Sequence, residues 1–147
     1  MIDFSNFILD QYPQVKEEMI RSREDFDEPY TITSYLRYYY DDLILSEKLE
    51  DQEQAKDILR FINQVMNSNE YDDRTRNMVH LNFIGFLIEP HRLYKEDLYA
   101  TFLHKKVRLA KEILTGEALN LLRFWVLIAN ENYCYRFPIS LMKIMRL

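Results

Sequence analysis

Apolar residues recur along this chain at spacings of three and four, which predicts helices nearly throughout. Phe4, Phe7, Ile8 and Tyr12 lie on one helical face until Pro13, where a kink or a fresh helix start is expected, and Val15, Met19 and Ile20 carry the pattern on. The stretch from Arg21 to Pro29 is too charged to bury an apolar stripe and is expected to be a loop or surface arm. A second helix is predicted from about Thr33 to Leu49, with Leu36, Tyr40, Leu43 and Ile44 inward and Tyr35, Tyr38, Asp42 and Tyr39 on its other face.

A third helix is expected behind Asp51 and Gln54, read as a capping-box variant, with Ala55, Ile58, Leu59, Ile62, Val65 and Met66 on one face and Asn67-Ser68-Asn69 at its end. Asp72 or Asp73 then caps a fourth helix through Met78, Val79, Leu81, Ile84 and Ile88, ending at Pro90, apolar on nearly every side and hence central. Gly85 in that helix would let a neighbour approach closely. Leu93 to Leu114 follows as one helix or a broken pair, with Leu98, Phe102, Leu109, Ala110 and Ile113 inward and Lys105, Lys106, Arg108 and Lys111 outward. Gly116 suits a helix end, residues 117–130 form another mostly buried helix, and Pro138 precedes a short terminal one. Only Tyr133 to Phe137 alternates weakly as a strand would. The expected fold is therefore all-α, a single domain over residues 1–147 of six or seven helices, arranged as a bundle or as stacked helical hairpins.

Charge changes this picture more than composition does. Residues 1–73 hold 18 acidic and 7 basic side chains, a balance of −11, whereas residues 74–147 hold 6 and 12, a balance of +6. Two stretches of the acidic half, Glu24-Asp25-Phe26-Asp27-Glu28 and Tyr38-Tyr39-Tyr40-Asp41-Asp42, set carboxylates among large rings that can anchor a protein contact. Glu24, Asp25, Asp27, Glu28, Tyr38, Asp41 and Asp42 are accordingly the candidate partner-binding residues, and a basic protein is the expected partner. The bland alternative is that the basic half docks on the acidic half within the domain. Of Tyr38, Tyr39 and Tyr40, at least one should be buried and one should stay largely exposed, since three consecutive helical residues cannot all point inward.

Enzyme chemistry finds less support. Two glycines, where average usage of about 7 % would give roughly ten, leave no Gly-rich loop to cradle a phosphate. Acidic pairs at Glu47, Glu50 and Glu53 and at Glu70 and Asp73 could hold Mg²⁺ if they faced one another, as in all-helical nucleotide pyrophosphatases, and that is the enzyme alternative. His80, His91 and His104 lack metal-ligand spacing, and Cys134, flanked by Tyr133, Tyr135 and Phe137, suggests a buried thiol. No catalytic residue, metal ligand or cofactor is expected. The strip Lys105, Lys106, Arg108 and Lys111 is scattered around its helix in an acidic chain, so direct nucleic-acid binding is not expected either. With one cysteine, no basic-apolar leader and no apolar run of about 20 residues, a soluble cytoplasmic protein is expected, without a membrane role.

Residues 57–67, Asp57-Ile58-Leu59-Arg60-Phe61-Ile62-Asn63-Gln64-Val65-Met66-Asn67, followed by a polar turn and by Val79 to Leu87, resemble small, mostly uncharacterised all-helical bacterial proteins. Tyr12-Pro13 and Leu114-Thr115-Gly116-Glu117 are similar too. Those proteins often place an acid directly after a Phe-Leu pair, where this chain has Ile88 and then Glu89. Some look like immunity proteins encoded beside polymorphic toxins. The resemblance implies a non-enzymatic binding protein that neutralises a basic toxin domain, with a helical scaffold or adaptor subunit as a further alternative.

Overall fold

A computed structural model describes the backbone of residues 3–88 and 96–132 and the side chains of 3–88 and 102–128. Expectations for Glu89, Pro90, His91, Cys134, the run from Tyr133 to Phe137 and the helix after Pro138 lie outside these residues. Seven α-helices follow one another among the described residues: α1 (Phe4–Gln11), α2 (Pro13–Arg21), α3 (Pro29–Leu45), α4 (Leu49–Asn67), α5 (Asp73–Asn82), α6 (Glu96–Ile113) and α7 (Gly116–Asn132). A single 3₁₀ turn, Ile84–Phe86, follows α5. The all-α expectation holds.

Two helices organise the rest. α3 packs against α1, α2, α4, α5 and α6, while α4 also meets α5, α6 and α7. Ile32, Leu36, Tyr40 and Ile44 of α3 and Ile58, Leu59, Ile62 and Val65 of α4 are fully enclosed, which is the inward spacing of three and four made real. Each such aliphatic side chain contributes about 1.5–3 kcal/mol of apolar burial before chain entropy is set against it. α1 closes one side through Phe4 and Phe7, whose rings stack on Phe61 at 5.6 and 4.5 Å.

Helix boundaries depart from the expected ones where polar side chains decide them. α3 begins at Pro29 rather than Thr33 because proline suits the first helical position, with Glu28 as its N-cap accepting from the Tyr30 N–H. It ends four residues early, at Leu45, because its last carbonyls are taken from outside. Gln52 Nε2 donates to the carbonyls of Leu43 (3.2 Å) and Ser46 (2.6 Å), and Lys105 Nζ donates to that of Ile44 (2.8 Å). Asp51 is thus not a cap of α4, which starts at Leu49; its carboxylate accepts from the Ser46 hydroxyl. The fourth expected helix stops at Asn82, and Leu81 is exposed rather than central. Gly85 does allow a close neighbour: a Cβ there would lie 3.2 Å from the Trp125 ring.

Lys106 corrects the outward reading of the α6 bases. It is 1 % exposed, and its Nζ lies 2.7 Å from Asp41 Oδ1, so the two charges leave water together. Lys105 is spent on the α3 carbonyls, where a cation also meets the negative end of the helix dipole.

A tyrosine-lined groove between α2 and α3

On α3, Tyr35, Tyr38, Tyr39 and Asp42 fall at i, i+3, i+4 and i+7. On α2, Gln14, Glu17, Glu18 and Arg21 fall at the same four spacings. Each set is therefore one helical face. Because α2 buries Val15 and Met19 against the core while α3 buries Leu36 and Tyr40, the two polar faces meet at the surface and enclose a groove of about 390 Å³ floored by Val15. One wall is aromatic: Tyr35 and Tyr38 meet edge to face with ring centroids 5.4 Å apart. Tyr38 is 48 % exposed, whereas Tyr39 is half-buried and Tyr40 fully enclosed, as three consecutive helical positions require. The burial of Tyr39, with the Asp51 carboxylate adding to it, raises its hydroxyl above the usual phenol value of 10.0. The Tyr39 phenol therefore stays neutral near pH 7.

The opposite rim carries Glu17, Glu18 and Arg21, with Arg21 and Glu18 paired at 3.4 Å and both mostly in water. Asp42 completes the lining from α3.

The acidic arm, residues 22–28, is fixed beside this groove by backbone chemistry. α2 ends in a Schellman turn, in which the Glu24 N–H donates to the Met19 carbonyl (2.9 Å) and the Arg23 N–H to that of Ile20 (3.1 Å). Arg23 takes the left-handed position at φ 56°, which glycine usually fills. The turn brings Glu24 back toward α3, where its Oε1 accepts from the Tyr35 hydroxyl at 3.4 Å. Asp25 then accepts from the Asp27 N–H (2.9 Å) in an Asx turn, and Lys16 lies 6.0 Å from the centroid of Phe26.

Of the seven candidate residues, Tyr38 and Asp42 line the groove and Glu24 joins it through Tyr35. Glu24, Asp25, Asp27 and Glu28 are all exposed, but the arm does not present them on one face. Asp27 lines a separate depression with Tyr30, Arg74 and Thr75, and Glu28 is engaged at the start of α3. Asp41 is the correction. Successive helical residues are turned by roughly 100°, which sends Asp41 inward, 8 % exposed against Lys106, while its neighbour faces solvent. It cannot contact a partner. The α2 rim was not anticipated, although the repeat of one spacing at 14, 17, 18, 21 and at 35, 38, 39, 42 was there to be matched.

No protein-family model matches this chain, and no curated protein or solved structure matches it. Function has to be argued from the chain's own residues. The carboxylate pairs of the pyrophosphatase alternative lie at opposite ends of α4: Glu47, Glu50 and Glu53 at its start, Glu70 and Asp73 beyond its finish. A helix of 19 residues is about 28 Å long, too far for both to share an ion. Among the described residues, no three His, Cys, Asp or Glu side chains gather as a metal site would require. His80 accepts a 2.8 Å hydrogen bond from Trp125 Nε1, which fixes it as the Nδ1–H tautomer, and burial lowers it from its ordinary 6.5. It borders a smaller depression of about 270 Å³, in which Asp73 and Arg76 pair with each other. No helix among the described residues is long and apolar enough to cross a membrane.

Proposed function

We propose that this chain is a non-enzymatic protein-binding domain, most concretely an immunity protein that neutralises a basic toxin domain through the groove between α2 and α3 and the arm beside it. The observation that carries the reading is the groove itself: a concave surface with three tyrosines on one wall and carboxylates on both rims. The exposed Tyr38, with the half-buried Tyr35 and Tyr39 beside it, supplies apolar area at small entropic cost, and clustered carboxylates steer a basic partner toward it. The resemblance over residues 57–67 and 79–87 supports the immunity assignment. A helical scaffold or adaptor would use the same surface without neutralising anything.

The test is to seek a basic toxin domain encoded beside the gene and to co-express the chain with it, scored by survival and by binding of the purified pair; a neighbourhood without such a domain would count against the assignment. Reversing Asp25 and Asp42 to Lys should leave the helical content unchanged, abolish protection and weaken binding by about a hundredfold, chiefly through slower association. It should also reduce the sensitivity of binding to salt. Unchanged affinity and unchanged salt dependence would overturn the assignment.

A further inference from the structure

We propose that the groove between α2 and α3 receives one arginine side chain of the partner, its guanidinium stacked on the tyrosine wall and paired with the carboxylates of the rims. This deepens the protein-binding reading and rests on it. Three features of the groove converge on a planar cation. Its lining includes three carboxylates, Glu17, Glu18 and Asp42, against one guanidinium, Arg21, and the arm adds Glu24 at the Tyr35 hydroxyl. A phosphate or nucleic-acid backbone would be repelled there. The wall carries three tyrosine rings, and a ring face left open attracts a cation. The volume, about 390 Å³, sits near the lower end of the range for pockets that enclose a small group, about 300–1,000 Å³, and suits one long side chain rather than a helix.

Arginine fits better than lysine because its flat guanidinium stacks on a ring while its N–H groups, lying in the same plane, reach carboxylates on either side. The chain itself shows that Tyr38 takes this kind of contact. Arg37 holds its guanidinium 5.0 Å from the centroid of Tyr38 and 3.8 Å from that of Phe86 while donating to the Asn82 carbonyl. Arg21 is the built-in competitor: mostly exposed at 70 %, it pairs with Glu18 at the rim and offers the groove the same group the partner would bring.

The full chain, with its tyrosine rings isotopically labelled, can be titrated with three blocked tripeptides, Gly-Arg-Gly, Gly-Lys-Gly and Gly-citrulline-Gly, while ring resonances are followed by NMR. The arginine peptide should shift Tyr35 and Tyr38 saturably, with a dissociation constant on the order of millimolar. Lysine should bind several-fold more weakly, and citrulline, which has nearly the shape but no charge, about tenfold more weakly or worse. Glu17→Gln with Asp42→Asn should weaken the arginine peptide by about tenfold. Arg21→Gln should tighten it, a gain that no merely structural role for Arg21 would produce. Equal binding of citrulline and arginine, no shift at these rings, or an unaltered affinity in Arg21→Gln would overturn the proposal. Concentration-dependent shifts of the same rings without peptide would also overturn it, a second copy of the chain then being the occupant. If the groove fails while reversing Asp25 and Asp42 still releases the toxin, the protein-binding reading survives without the arginine. If the peptide binds as stated but toxin binding ignores both groove and arm, the cation site stands and the toxin assignment falls.

Discussion

A carboxylate at Asp41 and an ammonium at Lys106 leave water as a pair, so each is tolerable only while the other is present. Replacing Lys106 by Met alone strands a buried negative charge and should lower the unfolding free energy by about 3–5 kcal/mol in urea titrations. Lys106→Met combined with Asp41→Leu should recover most of that loss. A single substitution costing less than about 1 kcal/mol would show that water reaches the pair. This contact was half legible in the sequence. Lys106 falls four residues after Phe102 and four before Ala110, inside the apolar stripe of α6, so its inward position could have been read from spacing. Its partner could not, since no local pattern links position 41 to position 106. The tyrosines were easier, because the spacing of Tyr40 from Leu36 and Ile44 dictates its burial and leaves Tyr38 outside.

Helices α4 and α7 are joined by side-chain amides acting as backbone partners. Asn67 Oδ1 accepts from the Glu117 N–H (2.9 Å) and its Nδ2 donates to the Thr115 carbonyl (3.0 Å), while Asn63 Oδ1 accepts from the Thr115 N–H (2.8 Å). The fit requires glycine between them: Gly116 has φ +54°, and a Cβ there would stand 2.5 Å from Asn67 Oδ1. Gly116→Ala should cost about 1–3 kcal/mol through backbone strain and the lost cap, and Asn67→Ala about 1–2 kcal/mol. The double variant should cost less than the sum, because both changes break one contact. Strict additivity in thermal denaturation would rule out a shared clamp. Gly116 was expected to end a helix and instead opens α7, for composition shows that a glycine is needed but not which neighbour crowds it. Most other helices fell where periodicity put them. Their ends moved wherever a distant side chain, such as Lys105 at the end of α3, took up the last carbonyls.

Across the molecule, the opposition of acidic and basic halves is used within the fold only in places. Lys106 pairs with Asp41 in the expected sense, whereas Lys56 and Glu112, 3.7 Å apart, pair in the reverse one. The exposed acids of the arm and groove stay at the surface; the charge split pointed to the α3 wall of the groove and not to its α2 rim. Stability of the whole chain should respond to acid in two stages. Burial holds His80 below 6.5 despite the opposing Glu117 carboxylate, so the unfolded chain takes up that proton first; its contribution is complete above 6.5 and is lost as pH falls toward the lowered value. Asp72, held below 3.8 by hydrogen bonds from Thr75, contributes fully above 3.8 and is lost as pH drops through its own lowered value. Melting temperatures should therefore decline first below 6.5, and the emission of the only tryptophan, Trp125, should change at the lower end of that decline, where folded His80 takes up its proton and the bond breaks. His80→Gln should flatten that first decline, and an unaltered profile would place its cause elsewhere. The two-sidedness of α3 has a practical consequence as well. With Leu36, Tyr40 and Asp41 anchoring one side and Tyr35 and Tyr39 packed against the core, the residues at 38 and 42 and the facing positions 17, 18 and 21 can be randomised as a library on an intact scaffold. The domain is thus a starting point for retargeted binders, with Asp41 as the one acid in its stretch that must be kept constant.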